Sequence, residues 1–137
     1  MSATEVQSPR FRQGEATRRR VLGDGHVSRT GAATTEFDAP FQSLITEAAW
    51  GHVWSRDDLS KRERSIVTIA LLAALGHHEE MAMHIRATAR TGASPDDIRE
   101  ALLHVAIYAG VPAANSAFRI AKQVLAEMEA EKAAPRL

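Results

Sequence analysis

From Asp38 onward the chain reads as one helix after another, each closed by a glycine or opened by a capping residue. Gly76, Gly92 and Gly110 stand where an apolar period near 3.6 stops, and glycine ends a helix with the least steric penalty. Ser60 and Ser94 stand where the next period begins. After Ser94 come Pro95 and the acids Asp96 and Asp97, all favoured in a first turn beside the positive helix end. No segment alternates with period two over a useful length. This punctuation admits an all-α fold.

The same signals set expected boundaries. A short helix is predicted over 16–22, stopped by Gly23, and a loop over 25–35, where two glycines and several hydroxyl residues break any period. Asp38 is expected to cap the next helix, with Pro40 in its first turn. Phe41, Ile45, Ala48 and His52 fall on one side of it, and Trp50 and Trp54 form an i,i+4 pair on another. Further helices are predicted over 60–76, about 78–91, 94–110 and 112–131, a total of five to six. The second half of 60–76 is apolar nearly all round, as in a helix buried among others. Residues 1–15 lack periodicity and read as a disordered arm, 16–131 as the folded domain and 132–137 as a short tail.

Composition narrows the function. A chain of 137 residues, 45% hydrophobic and 25% charged, is an ordinary globular domain in size and make-up. Lys+Arg 17 balance Asp+Glu 17, so no excess positive charge drives phosphate binding and nucleic acid is not an expected partner. With no cysteine, disulfides, thiolate metal sites and thiol redox chemistry are excluded. The longest apolar run, Ile66 to Leu75, falls well short of the roughly 20 residues that span a bilayer. Basic residues near the start have no apolar core behind them, so the reading is of a cytoplasmic protein without a signal peptide. Aromatics make up only 5%, and so modest a core points to oligomerisation.

Helical geometry selects the polar residues that can face a pocket. At 100° per residue, Arg62 and Ser65 share a face with Ile69 and Leu72. An arginine at the mouth of an apolar stripe suits a carboxylate clamp, because its planar fork matches that anion; the alternative is an ion pair with a neighbouring acid. On the helix over 78–91, Met81, Ile85 and Thr88 define the inward stripe and His84 lies at its edge. Glu80 stands one turn before His84, where it can orient the imidazole for general acid work or simply form a surface pair with it. His77 and His84 share a face but sit about 10 Å apart along the axis, too far for one ion, and no metal site is expected. His104 and Tyr108 form another i,i+4 pair, Asn115 lies at the margin of the last apolar stripe, and Trp50 and Trp54 read as core anchors or substrate walls.

Taken in order, RRRVLGDGHV, WGHVW, RERSIVTIALLAALGHHEEMAMH and AIYAGVPAANSAF resemble the carboxymuconolactone decarboxylase family over residues from about 18 to 127. That resemblance implies an all-helical AhpD-like fold and a homo-oligomer, a trimer or hexamer, with sites formed in part between subunits. The alkylhydroperoxidase relatives place two cysteines, spaced C-x-x-C, ahead of a histidine. Aligned on His84, those positions hold His77 and Glu80, so peroxidase chemistry is absent by residue type.

The activity the resemblance implies is cofactor-independent loss of CO2 from 4-carboxymuconolactone, a small dicarboxylate lactone of protocatechuate breakdown, to give 3-oxoadipate enol-lactone. Expected catalytic residues are His84 as proton donor, Glu80 orienting it, Arg62 and Ser65. Expected substrate-binding residues are Arg64, Tyr108, Asn115 and Trp54: Arg62 or Arg64 holds the spectator carboxylate, Ser65, Tyr108 or Asn115 donates to the enolate oxygen, and Trp54 is an apolar wall. Two other readings fit the same residues: a family member with another carboxylated lactone or small acid, and a non-catalytic helical assembly protein.

Overall fold

A computed structural model describes residues 7–134. Among the described residues there are seven α-helices, one π-helix and no strand. The all-α expectation holds, and the helix count exceeds the five to six read from sequence. Among the described residues, no helix is long and apolar enough to cross a membrane. The chain divides into two compact units between Leu59 and Ser60, inside the stretch read from sequence as one domain.

The first unit opens with α1 (Pro9–Leu22). Ser8 caps it, its hydroxyl accepting the Phe11 amide at 3.0 Å, and Pro9 supplies the preset φ of a first turn. The expected disordered arm is therefore corrected over 9–15, which is helical; residues 1–6 lie outside the described residues. A second correction concerns 25–35, read as loop. There α2 (Asp24–Ala33) follows directly after Gly23, whose φ of 91° permits the tight junction. The glycines and threonines lower helix propensity without forbidding a helix. Next come α3 (Ala39–Ile45) and a π-helix (Thr46–Trp54). Asp38 stands at the start of α3 as expected, but its carboxylate turns backward and accepts the Thr35 amide at 2.7 Å.

The π-helix decides which side of this stretch is buried. With a wider turn than an α-helix, it buries Thr46, Trp50, Gly51 and Trp54 and leaves Ala48 and His52 exposed, and Phe41 on α3 is exposed as well. The two indoles lie 5.1 Å apart at 33°. Helix α1 crosses this segment at backbone distance: a Cβ on Gly14 would lie 2.0 Å from the Thr46 carbonyl oxygen, and one on Gly51 would lie 2.8 Å from the Arg10 backbone oxygen. The Ser55 hydroxyl donates to the Trp50 carbonyl at 2.6 Å, so Thr17 must donate in turn to Ser55 at 2.7 Å.

The second unit holds α4 (Lys61–Leu75), α5 (His78–Thr91), α6 (Pro95–Tyr108) and α7 (Val111–Ala133). Reciprocal capping boxes start α4, through Ser60 and Glu63, and α6, through Ser94 and Asp97. Gly76 and Gly92 end α4 and α5 in the left-handed conformation that the sequence punctuation requires. Ile69, Met81, Ile85, Ile98 and Leu102 form the centre of an aliphatic core, closed on the α7 side by Ala114, Ala117, Ala121 and Val124. Arg86 of α5 pairs with Glu127 and, at 3.1 Å, with Glu131 of α7. Helix α4 departs from the expectation that it is buried all round: Val67, Leu71 and Leu75 form an exposed row at i,i+4 spacing, and Leu103 and Ile107 of α6 are exposed as well.

Candidate active site

His84 is the most enclosed of the nominated titratable side chains. It sits on α5 beside Met81, Ile85 and Thr88, all buried, because the inward stripe of that helix is wide enough to take the imidazole in. Glu80, one turn earlier, is exposed in the first half of the helix. A buried imidazole with a carboxylate within one turn of it is an arrangement suited to holding and delivering a proton.

Arg62 has a partner within the second unit. Its Nε and Nη2 donate to the two Asp97 carboxylate oxygens at 2.8 and 2.7 Å, joining the first turns of α4 and α6. Asp97 also accepts the Ser94 amide at 2.9 Å. The Arg62 bonds first, and the Ser94 amide second, hold the Asp97 carboxyl down at about 2. The same contact raises Arg62 above its ordinary value, while the Ser60 amide lowers Glu63. Of the two readings open for Arg62, the fork on a neighbouring acid is the one this structure contains. Asp97 escaped the sequence reading because it lies 35 residues away. Its position as the third residue after the Ser94 cap was the signal that placed it in a first turn.

Ser65 is fully buried, and its hydroxyl lies 2.7 Å from that of Thr91 at the end of α5, another partner that spacing along one helix does not reveal. Arg64 is half-buried on α4. Tyr108 is 85% exposed at the end of α6, stacked on His104 with ring centres 6.2 Å apart, and Asn115 is exposed in the first turns of α7. Trp54, in the first unit, is buried. Two clefts lie within the units. One, of about 1140 Å³, is walled by α1, α2, α3 and the start of the π-helix; the other, of about 180 Å³, lies between α6 and α7. Neither is lined by any of the eight nominated residues. Among the described residues, no group of three or more His, Asp or Glu side chains is disposed to hold a metal ion.

Residues 39–123 match the model of the carboxymuconolactone decarboxylase family. The chain belongs to that family. It is 43% identical over 119 residues to 4-carboxymuconolactone decarboxylase of Acinetobacter baylyi, covering 87% of this chain and 89% of that protein. It is also 35% identical over 124 residues to nitrosuccinic acid decarboxylase npaB of Metarhizium robertsii, covering 90% of this chain and 87% of that one. The stretch matched to the decarboxylase family contains all eight nominated residues, from Trp54 to Asn115, and begins only at α3.

Proposed function

We propose that the protein is a carboxy-lyase that decarboxylates 4-carboxymuconolactone to 3-oxoadipate enol-lactone in protocatechuate degradation. The observation that carries this reading is the 43% identity, along nearly the whole of both chains, to a relative of that name. The chemistry asks little beyond the chain itself. When the γ-carbon loses CO2, its electron pair moves through the ring double bond into the lactone carbonyl, which serves as the electron sink. A proton delivered to the α-carbon completes the enol-lactone. No cofactor is needed to accept the electrons.

The site assignments belong to the same proposal. His84 is the proton donor, favoured by its burial on the inward stripe of α5, and Glu80 biases its orientation and charge. Arg62 and Arg64 are the arginines for the spectator carboxylate. For Arg62 to serve, substrate must replace Asp97 on its fork, so Arg64 is the better clamp and Arg62 acts by fixing the α4 and α6 termini. Ser65, bonded to Thr91, holds α4 against α5 more readily than it reaches an enolate. Tyr108 and Asn115 remain the donors for the developing enolate oxygen.

Tyr108, Asn115 and the exposed row Val67, Leu71 and Leu75 together favour a homo-oligomer, trimer or hexamer, in which a neighbouring copy covers these surfaces. Light scattering of the purified chain measures the subunit number.

The test is to generate 4-carboxymuconolactone in situ and follow CO2 and enol-lactone. Turnover without added metal or cofactor is the expected result. His84→Ala should then lower kcat about 10²- to 10⁴-fold, the usual contribution of a positioned acid. An unchanged kcat assigns the proton to another group. The Metarhizium robertsii relative favours a second reading, in which the substrate is another small carboxylic acid. CO2 release from nitrosuccinate, with none from the lactone, would establish it.

A further inference from the structure

Arg18, on α1, is a buried cation without a counter-charge. It is 9% exposed. Its Nη1 donates to Gln42 Oε1 at 3.2 Å and to Thr46 Oγ1 at 3.4 Å, both uncharged. The opposite edge of the guanidinium, Nε and Nη2, makes no hydrogen bond among the described residues, and Nε is shut off from solvent. The acids nearby are engaged elsewhere or exposed: Glu15 pairs with Arg19 at 3.3 Å, Glu47 accepts the Ser8 hydroxyl at 3.0 Å, and Glu36 lies open to solvent. Burial alone lowers the affinity of Arg18 for its proton. His26 is lowered too, first by burial and then by the charges of Arg18 and Arg29.

Arg18 also lines the large cleft of the first unit, which none of the nominated catalytic residues enters. Thr30, Thr34 and Ser43 bring hydroxyls to its wall, and Phe11 and Val27 bring apolar surface. A buried cation is costly until an anion reaches it, and a guanidinium with donors to spare is a natural partner for a carboxylate. The same lining holds Glu15, Glu36 and Glu47, which oppose a doubly charged phosphate more than a singly charged, planar carboxylate.

We propose that this cleft is a binding site for a small carboxylic acid, its carboxylate seated on the Arg18 guanidinium and its carbon chain against Phe11 and Val27. The proposal does not depend on the decarboxylation reading, because binding is read without turnover. The probe is hexanoate, with its uncharged amide and inorganic phosphate as controls, added to the full chain while backbone amide resonances are recorded. Hexanoate is expected to shift Thr30, Gln42 and Thr46 saturably, and the two controls are not. Arg18→Gln should weaken hexanoate about tenfold or more. Ser43→Glu, at an exposed position of the wall, should do the same while leaving Arg18 in place, and it decides the matter if Arg18→Gln does not fold. Equal binding of hexanoate and hexanamide, wild-type affinity in the folded variants, or no shift at all would overturn the proposal. Where turnover is measurable, a raised KM in Ser43→Glu identifies the ligand as the substrate itself, and an unchanged KM identifies a separate carboxylate.

Discussion

The two units of this chain are both helical, yet they cohere by different means. In the second, aliphatic side chains from four helices interdigitate around Ile69, Met81, Ile85, Ile98 and Leu102, and the helix ends are closed by their own caps. In the first, backbone meets backbone at Gly14 and Gly51, two indoles pack together, and hydroxyls and a guanidinium bridge the helices. Its buried apolar side chains are few: Val21, Leu22 and Val27 besides the tryptophans. The aliphatic unit draws its cohesion from area removed from water, roughly 25 cal/mol per Å². The other depends on close approach and on polar groups whose net worth is about 1 kcal/mol each when satisfied. The second kind tolerates change less evenly, because one added methyl group at the crossing has nowhere to go.

The largest test of this contrast is Gly14→Ala. A Cβ placed 2.0 Å from a carbonyl oxygen forces α1 away from the π-helix, and the loss should be on the order of 4 kcal/mol or more, at the exceptional end for one substitution. Both tryptophans belong to the first unit, so their fluorescence follows its unfolding; an unmoved midpoint would break the comparison. Leu102→Ala, in the aliphatic core, should cost about 3 kcal/mol by cavity formation, measured by chemical denaturation. Ser94→Ala removes the cap of α6 and should cost about 1 kcal/mol, visible as a small fall in Tm.

Asp97→Asn gives the smallest effect and the sharpest pH signature. The carboxyl falls from 3.8 to about 2 in the folded protein, so its contribution is complete above pH 4 and is lost as pH drops toward 2. Wild-type protein should lose stability across that window. The variant, lacking the contribution throughout, should show a flatter curve there in thermal melts at several pH values. Glu63, also lowered, keeps the slope from vanishing.

The legibility of the chain follows the same division. Helices 78–91 and 94–110 could be read from sequence nearly to the residue, because caps, glycines and a 3.6 period are local and agree with one another. Helix α2 was missed because its glycines and threonines weaken a helix that tertiary packing nevertheless holds. The exposed row on α4 was mistaken for core because an apolar residue carries no mark of what covers it. Of the site, the inward stripe of Met81, Ile85 and Thr88 could be read from spacing with His84 at its edge, but the burial of His84 itself could not. The fork of Arg62 on Asp97 and the bond from Ser65 to Thr91 could not, since each joins residues 35 or 26 positions apart on different helices.

By itself, then, the sequence determined the all-helical class, the main helices of the second unit and their termini, the absence of thiol chemistry and the inward stripe of Met81, Ile85 and Thr88 with His84 at its edge. These rest on interactions within a few residues of one another. The tertiary structure alone decided the wider turn that buries Trp50 and Trp54, the contact of Gly14 with the Thr46 carbonyl, the acid that holds Arg62 and the uncompensated charge of Arg18. Each of these depends on which helix comes to lie against which, and a one-dimensional period carries no record of that.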